Sequence, residues 1–442
     1  MSAAIYHIPI QVSDSLEVIE TVSRASSVRT AFVDALYSSR SMLRPLRQAQ
    51  TKLLTELGPD NGVAYTRALR GFHALTAAVL FLLFTAVVRP RTWNDLAPLA
   101  FALTVLTGLH TSAGMFREAY PVNHFLLISI YCVATFALAR SRGGLASDVV
   151  AVVCFALAAH TLESGLVILP LAVAGYLAGL RGISVRGLSA MVTVTAGYFL
   201  LRIGYLDMVG TEIGERPTGY WLWSLDSSSV QAIFGTHTYL LAGYTVVSSV
   251  VTVLLSQPVN GTWTVIRAAL DGRLVAADII PVVSSLLTTG LIAWHVFSRD
   301  AHGHRRTRDP LLLAGVTVLV GTAAISYAYA KSEIMSAAGV FYALLVCDSA
   351  RSLTNRRGLP ALAIAVVVIA SSLWTLRAMG LMYQLERSAF AARNEWAHDE
   401  RYELGTHTST PLESSLKREA LQRTRTNPLL LTPALGTLWG EP

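Results

Sequence analysis

Residues 145–180 read LASDVVAVVCFALAAHTLESGLVILPLAVAGYLAGL. As a single helix this stretch would be about 50 Å long at about 1.5 Å per residue, too long to cross a bilayer core of about 30 Å once. It is therefore read as two helices turning at His160-Thr161-Leu162-Glu163, which leaves a carboxylate at a tight turn between two apolar segments.

The rest of the chain repeats this pattern. Of its 442 residues, 53% are hydrophobic and 14% charged, with a mean hydropathy of +0.49. A soluble domain carries about a quarter charged residues, so the deficit points to lipid as solvent. Runs 71–88, 97–113, 125–139, 145–160, 165–180, 188–209, 279–298, 311–329, 334–349 and 361–379 are each long enough, with flanking anchors, to be expected as membrane spans. The expected fold class is all-α: a polytopic transmembrane bundle of about ten spans with external interfacial helices. Residues 1–70 form an external N-terminal region, 71–380 the bundle with an insert at 210–278, and 381–442 a polar C-terminal tail.

The net charge of +7 sits in short arginine-rich runs between the apolar stretches. That is how cytoplasmic loops of membrane proteins are composed, so no nucleic-acid partner is expected. Segment 239–255 is apolar enough to span but lies between polar stretches. If it lies in the interface, thirteen Lys/Arg of the loops fall on one side and five on the other. If it spans, every later loop changes side and the balance becomes nine against nine. The first sorting obeys the positive-inside rule and makes 256–278 external and 299–310 cytoplasmic in a multi-pass plasma (inner) membrane protein. It also places residues 1–70 outside, although they carry eight Lys/Arg against six Asp/Glu. A helix upstream of Met1 would resolve that conflict. Met1–Ile10 shows no basic n-region or long apolar run, so no signal peptide is expected. Cys132, Cys154 and Cys347 all lie in apolar segments without metal-ligand spacing. No carboxylate cluster at metal-binding spacing is visible, so no metal site is expected, although a divalent ion is not excluded.

This orientation collects the unusual residues on the outer face: Asp14 and Glu17, Arg117 and Glu118, the turn His160–Glu163, the segment 210–278, and Lys331. The sequence Arg44-Pro45-Leu46, then His73 in the first span, resembles the polyprenyl-phosphate-sugar-dependent membrane glycosyltransferases of the GT-C class. Protein O-mannosyltransferases and the arabinose transferases of lipid A belong to that class. Glu163-Ser164-Gly165-Leu166-Val167-Ile168-Leu169-Pro170 is similar to the family's acidic turn before a proline, with His160 and Thr161 where a lysine is more usual. Arg202 looks like the arginine ending the next helix. Tyr244, Pro258 and Asp278 resemble landmarks of an external insert, and Lys331 stands where many members have an arginine. The first helix expected before the catalytic aspartate is absent, and no TPR repeats follow.

The resemblance implies transfer of a sugar, with inversion, from a polyprenyl-phosphate carrier to an external glycan, lipid or protein acceptor. Such a reaction needs a carboxylate to take the acceptor proton and donors to stabilise the departing phosphate. Asp14 and Glu163 are the candidate catalytic carboxylates. Glu17, Arg117, Glu118, His160, Arg202 and Lys331 are the candidate substrate-binding residues. Each has a plainer reading beside it. Asp14 with Glu17 also fits a capping box, Glu163 an exposed turn, and Arg202 a side chain snorkelling to the headgroups. Tyr220-Trp221-Leu222-Trp223 reads as an interfacial aromatic belt or, alternatively, a sugar-stacking platform. Two other functions fit a polytopic chain: a transporter or flippase, and a non-catalytic partner of a glycan-assembly system.

Overall fold

A computed structural model describes residues 10, 15–37, 43–117, 123–206, 228, 231–232, 235, 237–257, 261–298, 309–326, 332–354, 360–397 and 410–426. Among these the chain is helical, with no strand. The helices are α1 Ser15–Ser23, α2 Val28–Tyr37, α3 Pro45–Glu56, α4 Gly62–Val88, α5 Leu96–Gly108, α6 His110–Arg117, α7 His124–Ala139, α8 Leu145–Ala159, α9 Ile168–Leu177 and α10 Val185–Phe199. They continue with α11 Thr238–Leu254, α12 Gly261–Leu270, α13 Ala276–Phe297, α14 Pro310–Ile325, α15 Ser336–Thr354, α16 Pro360–Ala397 and α17 Pro411–Thr426.

Four segments are long and apolar enough to cross a membrane: Gly62–Val88, Val185–Tyr205, Asp278–Phe297 and Ser332–Thr354. The chain is thus a helical membrane protein. The other expected spans fall on shorter apolar helices, such as the 16 residues of α7 and the 15 of α8. α15 is buried along nearly its whole length and forms the axis of the bundle. Its Phe341 meets Phe136 of α7 edge-on, with ring centroids 5.7 Å apart. Exposed Leu75, Leu82, Val192, Leu200 and Val320 give the outer helices an apolar rim, as expected where lipid, not water, covers the side chains.

The helix caps define two ends of the bundle. At one end Arg140 Nη1 donates to Val87 O (2.9 Å) and Arg351 Nη1 to Val88 O (3.1 Å), satisfying the last carbonyls of α4. The Arg351 Nε pairs with Asp95 at 2.8 Å, and Gly182 N donates to Ala139 O. The arginine-bearing loops after α4, α7 and α9 and the last turn of α15 therefore gather at this end. The turn His160–Glu163 closes the opposite end.

Residues from both termini pack together at that opposite end. Trp396 is fully buried and its Nε1 donates to Ile10 O at 2.6 Å. Gly62 N donates to Ser415 Oγ at 2.8 Å, and Thr66 Oγ1 to Glu419 Oε2 at 2.9 Å. Residues 381–442, expected as a polar tail, thus contain the continuation of α16 and all of α17. The reason is visible afterwards: Leu412, Leu416 and Ala420 recur every fourth residue and bury one stripe against Leu54, Tyr65 and Leu69.

Candidate functional site

The turn that decides the fold also carries the site. After α8, residues Glu163–Val167 make a 3-10 turn into α9. Gly165 is obligatory there, because a Cβ would press into the backbone of Ala158. The turn leaves the Glu163 carboxylate at the end of the bundle, outside the apolar helices it joins.

Two guanidiniums from distant elements converge on it. Arg44 donates Nε to Oε1 at 3.1 Å and Nη2 to Oε2 at 2.7 Å, a bidentate fork. Arg202 donates Nη1 to Oε1 at 2.8 Å and to the Tyr198 hydroxyl at 2.8 Å. Local structure explains both approaches. Leu43 adopts φ 54 and is fully buried, packed with Ala159 and Tyr198. A left-handed leucine costs on the order of 1 kcal/mol, and here it turns the chain so that Arg44, just before Pro45 at the start of α3, faces the turn. Arg202 lies in a π-helical turn, Leu200–Tyr205, that extends α10, a widening that helices often carry at functional positions.

His160 stands beside this trio. Its Nδ1 donates to Ala156 O at 2.8 Å, and its ring meets Tyr198 edge-on at 5.9 Å. The backbone of the turn is tied to α3 through Leu46 N to His160 O, 3.4 Å.

The electrostatics follow from the geometry. Burial pushes the Glu163 carboxyl up, but Arg44 and Arg202 outweigh burial and hold it down at about 2. The carboxylate is ionised at any physiological pH, and the cluster of two arginines and one glutamate carries one net positive charge. Side-chain exposures of 19% for Arg44, 20% for Glu163 and 12% for Arg202 leave it open to a ligand.

Of the residues singled out from sequence, the structure brings together His160, Glu163 and Arg202. Asp14, Glu118 and Lys331 lie outside the described residues, as do Tyr220–Trp223 and Pro258. Glu17 and Arg117 are placed on α1 and α6 by backbone only. Two members of the cluster were not among the expected site residues. Arg44 was visible only as the first residue of Arg-Pro-Leu. Tyr198 precedes Arg202 by four residues, the spacing that stacks two side chains on one helix face.

A second group escaped sequence reading altogether. His295, Asp309 and Asp348 bring one ligand-type atom each to within 4.8 Å of one another at the arginine-rich end. Their separations in sequence, 14 and 39 residues, match no local motif. Comparison with protein-family models, curated proteins and solved structures finds no match to this chain.

Proposed function

We propose that the chain is an integral-membrane glycosyltransferase that moves a sugar from a polyprenyl-phosphate carrier to an acceptor hydroxyl on the outer face, with inversion. The observation that carries this reading is the Arg44–Glu163–Arg202 cluster: two planar cations, held in place by a shared carboxylate at one end of a membrane bundle, with a net positive charge. Guanidiniums bind phosphate oxygens through paired N–H donors. A lipid carrier must keep its tail in the bilayer while its phosphate meets such donors at the edge.

In this mechanism an acceptor O–H loses its proton to a carboxylate as its oxygen bonds to the anomeric carbon. The bond from that carbon to the phosphate oxygen breaks, and the electron pair leaves with the carrier phosphate. Arg44 and Arg202 stabilise the charge that develops there. Glu163, ionised down to about pH 2, is a weak proton acceptor. Its role in this reading is to position the two arginines, and Asp14 is the proton acceptor. His160, with Nδ1 held by Ala156 O, presents Nε2 as a further polar contact.

Ten spans and an external 256–278 belong to the same proposal. The Glu163 end holds both Arg202 and the residue that follows α11: Ser256 Oγ accepts from His110 N at 2.9 Å, just after α5 ends. Arg202 and Ser256 at one end support an α11 that lies in the interface. α13 then runs from that end to His295 at the other.

A transporter or flippase is the second reading. It is favoured by Arg377, 6% exposed on α16, whose guanidinium donates to Pro281 O, Ser284 Oγ, Ser285 Oγ and Ser256 O. A cation inside a helix bundle held by neutral acceptors is a feature of substrate pathways. The deciding experiment supplies purified chain in nanodiscs with a polyprenyl-phosphate sugar and a hydroxyl acceptor. Released carrier phosphate with inverted product supports the enzyme. Carrier movement between leaflets without bond cleavage supports the flippase.

A further inference from the structure

Just past the end of α11 the backbone enters the left-handed region at Ser256, φ 46. A residue with a side chain is strained there, and such strain gathers at ligand clamps and active sites. Two elements hold Ser256 in place. Arg377 of α16 donates Nη2 to Ser256 O, and His110 N at the start of α6 donates to Ser256 Oγ at 2.9 Å. The same junction includes Trp374, one turn before Arg377 on α16. Its ring lies against Gly108, the last residue of α5, where a Cβ would come within 2.8 Å of it.

The junction is rich in donors and lacks a negative charge. Arg377 Nη1 donates to Pro281 O at 3.1 Å, Ser284 Oγ at 3.0 Å and Ser285 Oγ at 2.8 Å, and its guanidinium carbon sits 4.2 Å from the centre of the Trp374 ring. All of these acceptors are neutral, and among the described residues no carboxylate forms an ion pair with Arg377. Two buried N–H donors have no acceptor among the described residues: Gln257 Nε2, on a residue 6% exposed, and Nε1 of the fully buried Trp374. The plain alternative is that Arg377 is only a staple between α13 and α16, satisfied by carbonyls and hydroxyls. That accounts for its hydrogen bonds but not for its charge, which is costly to bury without an opposite one. It also leaves the Gln257 and Trp374 donors orphaned, where buried donors are ordinarily satisfied. The serine oxygens are already engaged, since Ser284 Oγ donates to Pro281 O at 3.0 Å and Ser285 Oγ to Leu255 O at 2.7 Å.

We propose that this junction binds one small monovalent anion of the chloride class, held by Arg377, Gln257 and Trp374. A single halide cancels one guanidinium charge and accepts hydrogen bonds from any direction, so it serves both orphaned N–H groups. The N-terminus of α6, the positive end of that helix dipole, adds to the attraction. The three side chains are nine-tenths or more buried, which suits an ion of atomic size and not a lipid headgroup. The anion ties the end of α11 to α13 and α16, and this inference depends on neither sugar transfer nor carrier movement.

The test uses the full chain, purified in detergent with gluconate as the only anion, and equilibrium dialysis against radioactive chloride. Gln257→Glu is the decisive variant, because it keeps the shape of the side chain and places a carboxylate beside Arg377 where the anion would sit. Wild type should bind one chloride per chain at millimolar affinity or tighter, displaced by bromide but not by sulfate. Trp374→Phe, which keeps a ring and loses the N–H, should weaken binding about tenfold. Gln257→Glu should abolish binding, and Arg267→Ala, which removes an exposed cation, should leave it unchanged. Chloride should raise the thermal unfolding midpoint of wild type. Gln257→Glu should unfold at or above the chloride-free wild-type midpoint and not respond to chloride. No saturable chloride binding by wild type, equal affinity in Gln257→Glu or in Trp374→Phe, displacement by sulfate as readily as by bromide, or a lowered midpoint in Gln257→Glu would overturn the proposal.

Discussion

Replacing Glu163 by glutamine keeps the shape of the side chain and removes its charge, leaving Arg44 and Arg202 facing each other across an amide. The carboxylate receives three charge-assisted hydrogen bonds, and its pKa is held at about 2 against an ordinary 4.5. At about 1.4 kcal/mol per pKa unit this depression corresponds to about 3 kcal/mol. Exposure of 20% admits some solvent screening, which lowers the expected loss to about 2–3 kcal/mol. The sign with pH is determined by the direction of the shift. A carboxyl depressed in the folded state stabilises fully above its unfolded value near 4.5, and that contribution is lost as pH falls towards about 2. Equilibrium unfolding in mixed micelles should therefore show Glu163→Gln less stable than wild type by about 2–3 kcal/mol at pH 7, with the gap shrinking below pH 4.5. A double-mutant cycle with Arg44→Met should give a coupling above about 1 kcal/mol. A difference under about 0.5 kcal/mol at pH 7, or one that does not change with pH, would refute the structural role given to this cluster.

Gly165→Ala should destabilise by about 1–3 kcal/mol, because the new methyl meets the Ala158 backbone, which cannot rotate away as a side chain could; unfolding in the same micelles reads it. Arg89 ends α4 at φ 51 with its N–H on Thr85 O, so Arg89→Gly should stabilise by about 1 kcal/mol through relief of the left-handed strain, seen as a raised unfolding midpoint. Single cysteines at Leu270 and Ser141, both exposed, should differ in labelling by an impermeant reagent from outside the cell, with 270 modified and 141 spared. The reverse pattern would invert the topology.

Much of the architecture is legible in the sequence because lipid makes a strong demand on it. Apolar length alone locates the span at 71–88, the C-terminal part of the helix Gly62–Val88, and forces the chain to turn near His160, and charge sorting assigns the loops around Arg140, Arg181 and Arg351 to a common end. The extension of α16 to Ala397 and the helix Pro411–Thr426 were missed for a physical reason. Their burial is against the N-terminal segment and rests on a few residues, such as Leu412, Leu416 and Ala420, spaced four apart within a polar stretch. The site was half legible. Glu163 and Arg202 stood out as charges at the edges of apolar runs, but the partner Arg44 lies 119 positions away. It is aimed by the positive φ of Leu43, which no residue type announces. The His295–Asp309–Asp348 group is an extreme case, created wholly by the packing of three helices.

The central claim is that Arg44 and Arg202 receive a carrier phosphate, and affinity for polyprenyl phosphate in nanodiscs tests it directly. Each lost charged hydrogen-bond partner is worth about 1.5–3 kcal/mol, so Arg202→Ala should weaken binding by about tenfold to a hundredfold. Arg202→Lys, which keeps the charge but loses the planar fork, should fall between alanine and wild type. Equal affinity in all three proteins would make Arg202 a structural residue and would contradict the account.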